Sequence, residues 1–357
     1  MLLLLPGTPC RAAETDDIRD FVGEESILEN APEAFRQSGI DPDSEGGYAS
    51  FWNDVRRFFL DALSLGFADG IKLLAKICGI LLTGAVMRAM TDTAKGGRVH
   101  LVFQIICLVT LTFVTQNALE PTLDLVQNTM DGACGFLMAS LPVSSLILAM
   151  GGETNRAVLQ GVSLQHVIGI VSVITTQFLA PVLRFLMALT LAGSIAGKSL
   201  TPLTAFLAKF LKRSCLFLFT LLGAVLALKN ALAAAADSVA MRGIRFAAGS
   251  FIPVVGNLVG EASRTLAAGI GLIRSECGVL CVMILLYLLA RPVVLLFTQK
   301  IVFSAAGAMG EILGDSSSAG FLRGMSAVWD LFLAVCAFQG CYFIFSIVLF
   351  LKGGNGV

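Results

Sequence analysis

The sequence predicts an all-α, polytopic membrane protein, and three observations carry that reading. First, 56% of the 357 residues are hydrophobic and only 14% are charged. Soluble domains sit near 45–50% apolar and about 25% charged, so charges this sparse cannot cover a surface facing water. Second, uncharged runs recur at 99–119, 132–152, 157–183 and 331–351. Each is long enough to cross a hydrocarbon core of about 30 Å, which takes about 20 residues. Third, the formal net charge of zero is a sum of two unlike parts. Residues 11–61 hold 13 acids and 5 bases, a net of −8, and residues 62–357 hold 12 acids and 20 bases, a net of +8. An acidic aqueous arm therefore precedes a basic, membrane-embedded body. The balance, and the lack of a Lys/Arg stripe, exclude a basic nucleic-acid binder. The apolar content excludes a disordered chain.

The elements follow in order. Residues 1–13 read as a residual signal peptide: Leu2–Leu5, then small residues, then acids from Glu14. The basic leading region is missing, which points to a start placed too far downstream or to a truncation. Residues 14–67 form an acidic extracytoplasmic segment. Within it Tyr48, Phe51, Trp52, Val55, Phe58, Phe59, Ala62 and Leu63 recur at helical spacing, with Asp54, Arg57 and Asp61 on the other face. That amphipathic helix either lies at the membrane interface, where aromatics concentrate, or packs on the protein. Residues 68–357 form the multipass domain. Besides the four uncharged runs, it has apolar stretches at 71–90 (with Lys72, Lys76 and Arg88), 214–236 (with Lys229) and 277–303 (with Arg291 and Lys300). About six spans result.

Two segments depart from a plain span. Residues 132–152, with Pro142, and 246–262, with Gly249, Pro253, Gly256 and Gly260, are interrupted by glycine and proline. Proline removes a backbone donor, and each mid-helix glycine costs about 1 kcal/mol. Broken backbone at membrane depth survives only where protein or a cavity satisfies it. These five residues are therefore candidates for re-entrant or cavity-lining elements, or for kinked interfacial helices without such a role. The prolines also hint at duplication. Pro142-Val143 and Pro253-Val254 stand 111 residues apart, as do Pro181-Val182 and Pro292-Val293. Candidate repeats are 99–197 and 210–310, although short matches arise easily in Val- and Ala-rich sequence. Beside the second pair of prolines stand Arg184 and Arg291, candidate intramembrane charges next to helix breaks. They read equally as the interfacial ends of shorter spans.

Enzyme motifs are sparse. His100 and His166 have no metal-binding spacing, no Cys-x-x-Cys pair occurs, and no phosphate-binding Gly-rich loop is present. No catalytic, cofactor or metal residue is assigned. The expectation is a non-enzymatic membrane protein with membrane lipid among its partners.

The acidic leading region, the Tyr48–Leu63 helix and above all Gly249-Ser-Phe-Ile-Pro-Val-Val-Gly256 resemble the stage III sporulation protein AE family of endospore-forming bacteria. The resemblance implies a multipass component of a channel-like, secretion-like complex joining mother cell and forespore. It implies residence in the mother-cell membrane surrounding the forespore. It implies partners among other stage III A-operon proteins, including a secretion-type ATPase and ring-forming subunits, and a need for the complex in late forespore gene expression. It supplies no catalytic residues. Two other readings stay open on the residues alone: a secondary transporter with repeated halves, and a structural anchor for ring-forming partners.

Overall fold

The computed structural model describes residues 31, 47–93, 97–195, 201–251 and 256–351. Seven α-helices hold nearly all of them: α1 (Gly47–Thr93), α2 (Gly97–Met150), α3 (Thr154–Ser172), α4 (Ala180–Ile195), α5 (Thr201–Phe251), α6 (Gly256–Ile312) and α7 (Ser316–Leu351). A π-helical stretch, Val173–Leu179, joins α3 to α4 without a break. The described residues contain no strand. Six helical stretches are long and apolar enough to cross a membrane: Gly66–Met90, Val102–Met150, Thr154–Ile195, Pro202–Val239, Cys277–Ile312 and Ser316–Leu349. The expected class and span number are both met. The residual signal peptide at 1–13 and, apart from Ala31, the acidic arm up to 46 lie outside the described residues. The helix expected at Tyr48–Leu63 is the first part of α1 and runs on into the first span.

The helices end where local chemistry stops them. α2 and α6 each close on a glycine in the left-handed region, Gly152 at φ 77° and Gly314 at φ 75°. In both turns the glycine amide donates to the carbonyl three residues back, Ala149 or Glu311. The next amide donates five residues back, from Glu153 to Leu148 and from Asp315 to Gly310. This is the Schellman pattern, for which glycine is suited because it has no Cβ to clash. Asp315 then starts α7, its carboxylate accepting the Ser318 amide at 3.0 Å.

Proline interrupts less than its type suggests. α2 continues through Pro121 and Pro142 to Met150, and α6 continues through Pro292. The break expected within 132–152 is therefore corrected: the chain reverses after Met150. Ser140, Ser144 and Ser145 donate to the carbonyls of Leu137, Leu141 and Pro142 around the proline. The break expected at Pro292 is corrected in the same way. In the 246–262 segment the described helices stop at Phe251 and resume at Gly256, and Pro253 lies outside the described residues.

α7 is the organising helix and packs on α6, α5, α4 and α2. Its Trp329 ring is fully buried, stacked between Phe303 of α6 at 5.7 Å and Phe332 at 5.9 Å. Small residues let helices approach. Gly307 and Gly310 of α6 lie against Ala319 of α7, where an added Cβ at 310 would meet Ala319 Cβ at 3.2 Å. Gly84 of α1 faces Cys107 of α2, and Gly340 of α7 faces Leu289 of α6. In 99–197 the long helix α2 packs on α3, which follows it. In 210–310 the long helix α5 packs mainly on α7 and only slightly on α6.

Candidate functional site: a polar belt across five helices

Charged residues are scarce in the body of the chain, so the positions where they meet are informative. One set forms a connected belt. On α4, Arg184 Nη2 donates to Glu120 Oε1 of α2 at 3.1 Å, and Gln116 supports the same oxygen at 2.8 Å. Two residues on, the Thr122 hydroxyl donates to the Ala118 carbonyl at 2.7 Å and accepts Gln299 Nε2 of α6 at 2.9 Å. Thr122 and Gln299 are buried. The residue after Gln299 is Lys300, whose ammonium binds Asp330 of α7. Lys212 of α5 binds the other oxygen of Asp330 at 2.8 Å. The belt thus runs from α4 to α2, α6, α7 and α5.

Its level can be placed. Uncharged runs end on three of its members: 99–119 at Glu120, 157–183 at Arg184 and 331–351 at Asp330. Asp330 lies 15 residues beyond Asp315, about 22 Å at 1.5 Å per residue. Its chain then runs charge-free through Leu351, about 32 Å further, the thickness of a hydrocarbon core. Gln339 donates to the Val171 carbonyl at 3.5 Å, and Phe219 meets Phe338 and Tyr342. The apolar parts of α3, α5 and α7 therefore lie on one side of the belt. The 99–119 run lies on the other, beside α1.

Two further clusters tie the ends. Arg88 of α1 binds Asp315 in the α6–α7 turn at 3.0 Å, with both side chains largely buried. At the opposite end Asp237 of α5 caps α3. Its carboxylate accepts the Asn155 and Arg156 amides at 3.0 and 3.1 Å and the Asn155 side chain at 2.9 Å. Glu153, which precedes α3, makes no side-chain cap and binds Arg156 at 2.8 Å instead. Asp237 thus meets the orphan amides that a helix N-terminus leaves unpaired. Among the described residues no group of three or more His, Cys, Asp or Glu side chains could hold a metal.

With this geometry in place, the comparisons with known proteins are informative. The sequence profile described as stage III sporulation protein AE matches residues 40–354, a range that holds the belt and both end clusters. The chain belongs to the stage III sporulation protein AE family. A Bacillus subtilis (strain 168) protein described as stage III sporulation protein AE is 20% identical over 285 residues, covering 80% of this chain and 71% of its own. No solved structure matches. Family membership assigns the chain to sporulation, and its six long apolar helices assign it to a membrane.

The residues singled out from sequence fare differently. Arg184 belongs to the belt, three residues after Pro181, which follows the π-helical stretch. Its partner is Glu120 rather than a carbonyl freed by proline. Arg291 is exposed and has no partner among the described residues, while Pro292 beside it is buried within α6. Pro142 lies on the α2 segment that leads into the α2–α3 turn. Gly249 is in the last turn of α5, Gly256 opens α6 and Gly260 follows one turn later. These positions are not brought to the belt by any described contact. Sequence reasoning missed Glu120, Thr122, Gln299 and Asp330. The signal for two of them was present, because Glu120 and Asp330 border uncharged runs. Lys212 and Lys300 were visible as charges, but their common partner was not.

Proposed function

We propose that this family member is a non-enzymatic, multipass subunit of a channel-like or secretion-like complex that links mother cell and forespore. In this reading it resides in the mother-cell membrane around the forespore. It works with other stage III A-operon membrane proteins, a secretion-type ATPase and ring-forming subunits, and it supports late forespore gene expression. The observation that carries the reading is the belt. Its ion pairs and hydrogen bonds join helices to one another, 30 to 177 residues apart in sequence. That wiring suits a framework holding a fixed shape for partners.

The test is made in sporulating cells. A fluorescent fusion should ring the forespore, and deleting the gene should abolish a late forespore-specific reporter after engulfment has finished. Reporter activity unchanged by the deletion would overturn the proposal, as would a fusion confined to the outer cell membrane. Charge reversal at Asp330 to Lys should mimic the deletion, and adding Lys212→Asp should restore part of the signal.

A further inference from the structure

Lys212, Lys300 and Asp330 sit at the head of a cleft. α5 and α6 both pack on α7 and barely touch each other, so α7 forms the floor between them. On α7, Phe338 and Tyr342 face α5 through Phe219, and Gly340 faces α6 through Leu289. At 3.6 residues per turn, Asp330, Ala337, Cys341 and Val348 fall on the strip between those two sides. Cys341 and Val348 are exposed, as is Phe345 next to them. An apolar trough therefore leads away from the charged head for about 27 Å, the rise of 18 residues.

The head carries unbalanced positive charge. Two lysines share one carboxylate, and all three side chains keep about a third of their surface open: 38% for Lys212, 36% for Lys300 and 31% for Asp330. On α5, Arg213 directly after Lys212 and Lys209 about one turn before it are both exposed. Four cations against one anion leave a net of +3. Their setting is apolar. Phe206 and Phe210 stack at 6.4 Å and, with Phe217, are exposed along α5. Phe297 and Ile301 are exposed beside Lys300. In hydrocarbon or at its edge, an uncompensated cluster of this kind is costly unless an anion or water meets it.

We propose that the cleft between α5 and α6 binds an anionic phospholipid. The phosphate lies on Lys212 and Lys300 with Lys209 and Arg213 around it, and an acyl chain lies along Ala337, Cys341 and Val348. Charge complementarity selects the headgroup, and the trough beneath it selects a lipid over a free anion. The level agrees, because the charge-free run 331–351 starts directly after Asp330. The inference stands apart from the proposed role in the sporulation complex, since it rests only on the membrane bundle.

The full-length protein, purified in detergent, is titrated with phosphatidylglycerol, phosphatidylcholine or inorganic phosphate. Retained lipid is read by native mass spectrometry, and thermal unfolding is followed in parallel. Phosphatidylglycerol should bind preferentially and raise the unfolding temperature. Lys209→Gln with Arg213→Gln leaves the Asp330 pairing intact, and it should weaken the preference roughly fivefold per neutralised group. Asp330→Asn frees both lysines and should strengthen anionic-lipid binding even while the fold is weakened, a sign that a purely structural role does not produce. Cys341→Trp fills the trough and should lower binding of phosphatidylglycerol while leaving inorganic phosphate without effect. Equal binding of both lipids overturns the proposal and leaves the charges to a carboxylate on a partner helix. An equal response to inorganic phosphate alone overturns it in favour of a soluble anion.

Discussion

Asp330 ties three helices together, because one carboxylate on α7 serves lysines from α5 and α6. Removing it leaves two ammonium groups facing each other across α7. The group is partly open to its surroundings, so the cost falls below the 3–5 kcal/mol of a fully buried pair. Asp330→Ala should lower stability by about 1–3 kcal/mol, read as a lower unfolding temperature in detergent. A variant that melts like wild type shows that the triad is a surface pairing without structural weight. Asp237 is the second such residue. It replaces a missing local cap with three hydrogen bonds from a different helix. Losing a cap costs about 0.5–2 kcal/mol. Asp237→Ala should therefore loosen the start of α3, measured as faster amide exchange over Asn155–Val158 with little change in α7. Trp329 differs in kind. Its ring fills the space between Phe303 and Phe332, so Trp329→Ala should cost about 3–5 kcal/mol and prevent recovery of folded protein.

At the scale of elements, the turns and the close helix crossings are the sensitive points. Gly152 and Gly314 occupy a conformation that costs other residues about 1–2 kcal/mol. Gly314→Ala is expected to destabilise the α6–α7 hairpin by that amount. The same substitution at Gly161, which meets nothing within 4 Å, should fall well short of it. Equal effects at the two sites would remove the special role of the turn. The prolines teach the opposite lesson. Pro121, Pro142 and Pro292 lie inside continuous helices, so residue type alone overstated the interruption. A membrane helix loses only one hydrogen bond at proline and can run on through it where the helices packed around it support the backbone. The turn chemistry was local but not among the elements read from the sequence: Gly152-Glu153 and Gly314-Asp315 each place a left-handed residue directly before a helix start.

At the scale of the whole molecule, the helices are longer than one bilayer requires. The apolar stretch Ser316–Leu349 has 34 residues, about 51 Å against a core of about 30 Å. The belt offers a boundary within that length. Nitroxide labels at Lys212 and Glu120 in reconstituted vesicles should be quenched by a water-soluble relaxant. Labels at Leu221 and Val348 should respond to oxygen and not to that relaxant. Reversed accessibilities would move the hydrocarbon core to the other side of the belt, around 99–119. In either arrangement α5 is the least buried span, and its exposed aromatic and basic stripe is the face most available to lipid or to a partner.

Hydropathy was readable residue by residue because the bilayer acts on each side chain as a solvent, wherever its neighbours are. The all-α class, the six spans and the charge-free runs that stop at Glu120, Arg184 and Asp330 therefore follow from the sequence alone. The two glycine-closed turns rest on hydrogen bonds that stay within six residues, but they were recognised only in the structure. Only the tertiary structure decided that Lys212 and Lys300 share Asp330, that Asp237 caps α3 and that Thr122 meets Gln299. These partners lie 30 to 177 residues apart. Which of them meet depends on which helix faces small residues allow into contact, and a periodic apolar pattern leaves many such pairings equally open.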